Sequence, residues 1–464
     1  MSDRLTGTVY EGSMTASAFD GAEFRYIVYI PKNCEGQEEC ALLVSHDGLY
    51  ETEALAMERL AETDEAPPCV TVTVFPGRLR ATVDGGANRN LRMNNYDING
   101  RRYPNFVVDE LLPYVIEKHG LRISASPDMH MLSGASSGGI SSWNIAWRRN
   151  DYFRRVYMAS PSFLSMARGG ELVELMRKFE TKPIRVFTEY SGTEPDDYFG
   201  SSFCAADGAE RALRFAGYDM EARFYPELGH SGNYRNDEIA LARMRFLWKG
   251  WRDEPVQVKA LSKRALEIIP MNESWEETDL PFPEKKGAVS TGRFTRKGAY
   301  TGNGAGISFA ADDGTQNFVC DELEDIACLR ISSDKWRLYI GDRRRGCVYA
   351  ASIQPDGTLG RLYIHCTLHH DTEFRYPGAL DLCIDREDRL YVATELGVQL
   401  IRSFGLSDLI LENPDGRAAE QIEIGEDGYL YAQAGGRTYR RRLNGKYPAR
   451  EDQQTTPKYT GYYD

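Results

Sequence analysis

The chain has 464 residues, enough for two or three domains with well-filled cores, and its net charge of −13 argues against nucleic acid or an anionic membrane as a partner. Nine cysteines, odd in number and without a C-x-x-C pair, argue against a disulfide framework or a zinc site. The opening residues lack signal-peptide character and no apolar run reaches membrane length, so a cytoplasmic protein with reduced thiols is expected.

In chain order, short apolar runs at 26–30, 42–45, 70–75, 129–133, 156–159, 184–187 and 222–225 read as strands. Helical periodicity at 52–62, 103–119, 142–149, 170–179 and 204–216 alternates with them, and a further helical stretch follows at 238–251. Such alternation predicts a largely parallel sheet covered on both faces, with its site at the strand carboxyl ends, over residues 1–252. A proline-punctuated linker or wrapping segment is expected over 253–287, a β-rich domain over 288–450 and a polar tail over 451–464. The β-rich part carries a weak repeat in which a strand, an acidic turn and a Leu-Tyr strand recur at Leu338, Leu390 and Leu430, 52 and 40 residues apart. That spacing approaches one propeller blade, roughly 40 to 50 residues.

The chemistry is concentrated at residues 133–139, Ser-Gly-Ala-Ser-Ser-Gly-Gly, a G-x-S-x-G pattern centred on Ser136 between a strand and a helix. A sharp strand-to-helix turn lifts such a serine hydroxyl above the sheet, as a serine hydrolase requires of its nucleophile. The base is expected downstream of the serine and an acid between the two. Of seven histidines, His230 alone lies between Ser136 and the differently composed C-terminal half, on a loop after a strand. Glu194 is the preferred acid, with Asp196 and Asp197 as alternatives on the same loop. The oxyanion donors are assigned to the N–H groups of Ser137 and of Leu49, the latter on the Asp47-Gly48 turn after an apolar strand, with Gly48 supplying the backbone freedom. Arg92, Asn95 and His46 are candidates for contact with substrate.

The order of these segments resembles the esterase D or enterochelin-esterase-like branch of the α/β-hydrolases. The resemblance rests on Arg25-Tyr26-Ile27-Val28-Tyr29-Ile30-Pro31, the strand ending in Asp47-Gly48, the segment from Phe106 to Val115, the Gly134-x-Ser136-x-Gly138-Gly139 elbow and the Gly229-His230 loop before a helix. It implies an α/β-hydrolase sheet, no cofactor, and hydrolysis of small acyl or aryl esters such as acetyl or feruloyl esters of carbohydrates, through Ser136, His230 and Glu194. The family more often uses Asp as the acid, and its glycine-rich oxyanion loop is replaced here by Ser45-His46-Asp47-Gly48.

The C-terminal half is similar to the gluconolactonase/regucalcin type of β-propeller, with room for three or four blades rather than six. Leu380 stands where that family carries a metal-binding aspartate, so no metal is assigned. A β-rich accessory domain is therefore expected, offering Trp336, Phe374 or Tyr376 to a sugar or phenolic group. Metal-dependent lactonase activity in that half, and a non-catalytic carbohydrate-binding protein, are the alternative readings. Self-association as a homo-oligomer is left open.

Overall fold

The computed structural model describes residues 4–164, 166–230, 236–292, 295–304, 306–323 and 325–450, and the expected 451–464 tail lies outside them. Two compact units divide the chain: Met1–Arg177 with Thr181–Ala260, and Lys178–Glu180 with the chain from Leu261 onward. Among the described residues no helix is long and apolar enough to cross a membrane.

In the first unit the strands are Thr8–Ala16 (β1), Ala22–Ile30 (β2), Ala41–His46 (β3), Cys69–Val74 (β4), Arg78–Leu79 (β5), Arg89–Asn90 (β6), His130–Ala135 (β7), Arg155–Ala159 (β8), Arg185–Thr193 (β9), Asp196–Asp197 (β10), Gly200–Ser201 (β11) and Asp219–Gly229 (β12). Between them run the helices Glu51–Glu62 (α1), Arg92–Tyr96 (α2), Arg102–Phe106 (α3), Leu112–His119 (α4), Ser137–Arg148 (α5), Glu171–Lys178 (α6), Ser202–Ala216 (α7) and Asp237–Trp248 (α8). The main sheet follows the order β12-β9-β8-β7-β3-β4-β2-β5-β6, with β1 paired to β2. From β12 to β4 neighbouring strands are parallel, and β2 turns antiparallel against β4.

Every residue of β3, β4 and β7 is buried, as strands covered on both faces require. Alternation sorts their side chains. Leu43, Met131, Ala135, Tyr157 and Phe187 face a layer made by α1 and α8, where Met57, Leu60, Met244 and Trp248 complete the core. Gly134 and His46 point the other way, toward α5. The chain leaves β3 for β4 on one side and returns to β7 on the other. At such a switch point the loops beyond the strand ends diverge and leave a crevice.

The single helix expected over 103–119 is observed as α3, a wide π turn at Val107–Leu111, and α4. Pro113, which has no N–H and whose ring crowds the carbonyl four residues back, accounts for the widened ladder there.

Among its described residues the second unit contains a short helix, Lys263–Ile268 (α9), a two-residue strand, Glu276–Glu277 (β13), and four antiparallel four-stranded sheets. The first sheet is Ala288–Ser290, Gly298–Asn303, Gly306–Ala311 and Gln316–Cys320 (β14 to β17); the second is Ile326–Ile331, Arg337–Asp342, Cys347–Ser352 and Tyr363–Thr367 (β18 to β21). Asp381–Ile384, Leu390–Ala393, Val398–Ile401 and Ser407–Leu411 (β22 to β25) form the third. The fourth takes Gln421–Ile424, Tyr429–Ala434 and Arg437–Arg442 (β26 to β28) and is completed by β13. The first strands lie side by side, β14 with β18, β18 with β22 and β22 with β26. Arg330 on β18 reaches Glu423 on β26 at 3.2 Å.

The sequence repeat is the first hairpin of the second, third and fourth sheets. Its acidic residue holds the turn: Asp334, Asp385 and Asp427 each accept backbone N–H groups within their own turn. The Tyr of each Leu-Tyr pair donates to a turn carboxylate, Tyr391 to Asp385 at 3.3 Å and Tyr431 to Asp427 at 2.7 Å, while Tyr339 reaches Asp388 of the next turn at 3.0 Å.

Candidate active site

Ser136 sits between β7 and α5 at φ 57° and ψ −125°, a conformation that costs energy for any residue with a Cβ. Its backbone is pinned on two sides. The N–H donates to Ala159 O at 2.9 Å, and the carbonyl accepts from Gly139 N at 3.0 Å and Ser162 N at 3.2 Å. A Cβ on Gly134 would fall 2.2 Å from Gly138 O, so the turn closes only over glycine. Gly134→Ala is therefore expected to destabilise the fold by roughly 1 to 3 kcal/mol or more, as overpacking does. Chemical denaturation checks it, and an unchanged midpoint would contradict the close approach.

The hydroxyl of Ser136 shares a hydrogen bond with Ser162 Oγ at 2.8 Å. Ser136 and His230 wall one cavity of about 790 Å³, together with Leu49, Tyr50, Asp47 and Arg92. His230 follows β12, and its Nδ1 is hydrogen-bonded to Glu194 Oε2. Glu194 lies just past β9 with its side chain wholly buried. Its other oxygen accepts from Ser191 N at 3.0 Å and from the hydroxyl of Ser160. Burial works against its charge, but the hydrogen bonds from His230, Ser160 and Ser191 outweigh it and hold the carboxyl below its ordinary range. A carboxylate at Nδ1 fixes the imidazole proton there and leaves Nε2 as an acceptor. Asp196 and Asp197 are exposed on the β10–β11 hairpin, where Asp197 caps the turn through Phe199 N at 2.8 Å.

Leu49 is on the cavity wall, and Ser137 is the first residue of α5. Among the described residues, neither N–H is spent on a backbone carbonyl outside the helices and strands. In the turn before Leu49, Asp47 takes a left-handed conformation, at φ 66°. Asp47 N–H bonds Val74 O at 3.1 Å, and its carboxylate is clasped by Arg92 Nη2 at 2.7 Å, which fixes the turn from the side chain as well.

Arg92 stands at the cavity. His46 and Asn95, expected as substrate contacts, are instead buried behind its wall. The His46 ring is 0% exposed and lies 3.1 Å from Ser133 O, Ser141 Oγ and Ser142 Oγ, and burial pushes its imidazole down to about 4, so it packs as a neutral ring. Asn95 Oδ1 accepts from Gly77 N at 2.8 Å and holds that loop.

Two groups went unread in the sequence. Ser160 and Ser162, in the Ala-Ser-Pro-Ser run after β8, touch Glu194 and Ser136; their only signal was hydroxyls directly after the strand next to the elbow. Asp97 is 2% exposed beside Ser137, and burial pushes its carboxyl up to about 6. In the second unit Leu380 packs on the core of the third and fourth sheets, and Asp381 is paired with Lys285 at 2.6 Å. Among the described residues no three His, Cys, Asp or Glu side chains gather as metal ligands.

Residues 17–202 match the family model described as "Putative esterase". No curated protein matches the chain. Among solved structures it is similar to a ferulic acid esterase, at 19% identity and a TM-score of 0.40 over 52% of this chain and 98% of that one. It is also similar to enterochelin esterase from Shigella flexneri, at 19% identity and a TM-score of 0.41 over 53% of this chain and 59% of that one. The BES protein from Bacillus cereus follows at 17% identity and a TM-score of 0.39, over 53% of this chain and 97% of that one.

Proposed function

We propose that this esterase-type serine hydrolase works through Ser136 as nucleophile, His230 as base and Glu194 as the acid that orients the base. The reading rests above all on Glu194, a buried carboxylate bonded to His230 in the cavity that Ser136 also walls. Ser136 Oγ exchanges its bond to Ser162 for one to His230 Nε2 and attacks the ester carbonyl as the imidazole takes its proton. The carbonyl oxygen becomes an oxyanion facing the N–H groups of Leu49 and Ser137, each such donor contributing about 3 to 4 kcal/mol to the barrier reduction. The imidazolium then protonates the leaving alcohol, and water attacks the resulting acyl-enzyme by the same route. Glu194 stays ionised throughout, because its hydrogen bonds favour the carboxylate.

The substrates we assign are small acyl or aryl esters, acetyl or feruloyl esters of carbohydrates among them. A cavity of about 790 Å³ bordered by Arg92, Asp47 and Tyr50 suits an alcohol rich in hydroxyl groups. We read the second unit as a small propeller-like ring of four blades, an accessory domain without chemistry of its own. Sheets that run in sequence and a last sheet completed by β13 support that reading.

Intact-mass measurement after treatment with a fluorophosphonate tests the nucleophile. One adduct, mapped to the peptide holding Ser136, is expected. A folded protein that takes up no label would end the proposal.

A further inference from the structure

Arg243, on α8, is 0% exposed, as are two carboxylates beside it, Glu53 on α1 and Glu189 on β9. Its Nη1 donates to Glu189 Oε1 at 2.9 Å and to the Tyr157 hydroxyl at 2.8 Å, while Nη2 stands 3.7 Å from Glu53 Oε1. The Tyr157 hydroxyl in turn donates to Glu189, and the guanidinium carbon lies 4.1 Å from the centre of the Tyr157 ring. One cation is thus shared by two acids and a phenol inside the apolar layer of Met57, Leu60, Met244 and Trp248. Burying such a group costs several kcal/mol per ion, and well-packed apolar side chains of the same volume are commonly as stable or more so. Stability alone therefore does not account for it.

Its connections do. Glu53 lies in the first turn of α1, with its N–H bonded to Tyr50 O, directly after Leu49. Tyr157 lies on β8 in register with Ser133 of β7, two residues before Ala159, whose carbonyl holds the Ser136 N–H. The Glu189 carbonyl accepts from Ser160 N at 2.7 Å, and the Ser160 hydroxyl holds Glu194. Among the described residues, the helix that carries Arg243 is the next element after His230.

We propose that Arg243 is a positioning residue of the hydrolase, clamping α1, β8, β9 and α8 so that the oxyanion turn, the elbow and the acid keep their mutual register. The inference rests on Ser136 being the nucleophile. Glu189, Tyr157 and Glu53 are not reacting groups, so what Arg243 does through them is placement, and displacements of about 1 Å cost on the order of a hundredfold in rate.

The experiment compares wild type with Arg243→Met, Arg243→Lys and Tyr157→Phe, the last of which keeps its ring and loses only one hydroxyl. Hydrolysis of p-nitrophenyl acetate gives kcat and KM, the rate of fluorophosphonate labelling gives nucleophile reactivity, and near-UV circular dichroism reports packing. For folded Arg243→Met we expect kcat and the labelling rate to fall together by roughly 10- to 100-fold, with KM within about threefold of wild type. Arg243→Lys should recover part of the loss, and Tyr157→Phe should lower both rates several-fold. Folded variants that label at the wild-type rate, and differ only in melting temperature, would overturn the proposal. If Arg243→Met does not fold, Tyr157→Phe decides by the same criterion. A wild type that takes no label removes the nucleophile reading itself and this inference with it, an outcome distinct from a loss confined to the variants.

Discussion

Ser136→Ala is expected to lower the turnover of p-nitrophenyl acetate by roughly four to six orders of magnitude while leaving the protein folded. The rate falls because the attacking hydroxyl is gone, and what remains comes from binding and the oxyanion donors. The fold survives because alanine keeps the same Cβ at φ 57°, so the elbow carries the same backbone strain before and after. Only the hydrogen bond to Ser162 is lost, worth about 1 kcal/mol. Parallel rate and melting measurements check both halves. A variant that keeps near-normal turnover would refute the assignment, and one that loses activity by unfolding would refute the account of the elbow.

The second large effect is expected at Glu194. Glutamine there keeps an oxygen for Ser191 N–H and the Ser160 hydroxyl but turns an amide N–H₂ toward His230 Nδ1. The ring then carries its proton on Nε2, facing Ser136, and cannot accept the serine proton. A loss in kcat of roughly three to four orders of magnitude follows, as for the corresponding change in other triads. There is also a signature in pH. The folded protein holds Glu194 below the usual 4.5 of a free glutamate. Its carboxylate thus adds stability that is fully present above about 4.5 and lost as pH falls through the lower folded value. Denaturation of wild type and Glu194→Gln at neutral pH and near pH 4 should show the gap between them narrowing on the acid side. A gap that widens would mean the carboxyl is not stabilised as an anion.

The strands of the first unit were legible because their signal is local. Residues 41–44 and 69–74 form unbroken apolar or β-branched runs, which burial on both faces selects. The first strand, Thr8–Ala16, gave no such signal, since most of its side chains are exposed or half-exposed and it is held by its register against β2. The ends of β9 and β12 likewise run past their apolar centres into polar residues, carried by pairing with each other. At the site, the spacing from strand to Glu194 and from strand to His230 pointed to the two residues that now touch. Residue type alone misled at His46 and Asn95, whose polar atoms are spent on neighbours that only the packed sheet brings near. The turn before Leu49 depends on packing in the same way: Asp47, at φ 66°, is clasped by Arg92 from a distant helix. Arg243 was illegible altogether, because an arginine inside a helical run looks solvated until the two acids appear from distant segments.

The fourth sheet of the second unit is finished by a strand that precedes the other three sheets. Glu276 and Glu277 pair with Arg440 and Tyr439, and the ion pair from Arg437 to Glu277 spans 160 residues. During synthesis the latch strand therefore emerges long before the edge it must meet. At about 5 to 20 residues per second the interval is roughly 8 to 32 s. Throughout that interval the strand β13 pairs with, β28, has not yet been made. That Glu276 and Glu277 are charged matches what protein edges exposed to other chains use to avoid mispairing. The two acids that later meet Arg437 and Arg440 are thus suited to keep the waiting strand solitary until its partner arrives.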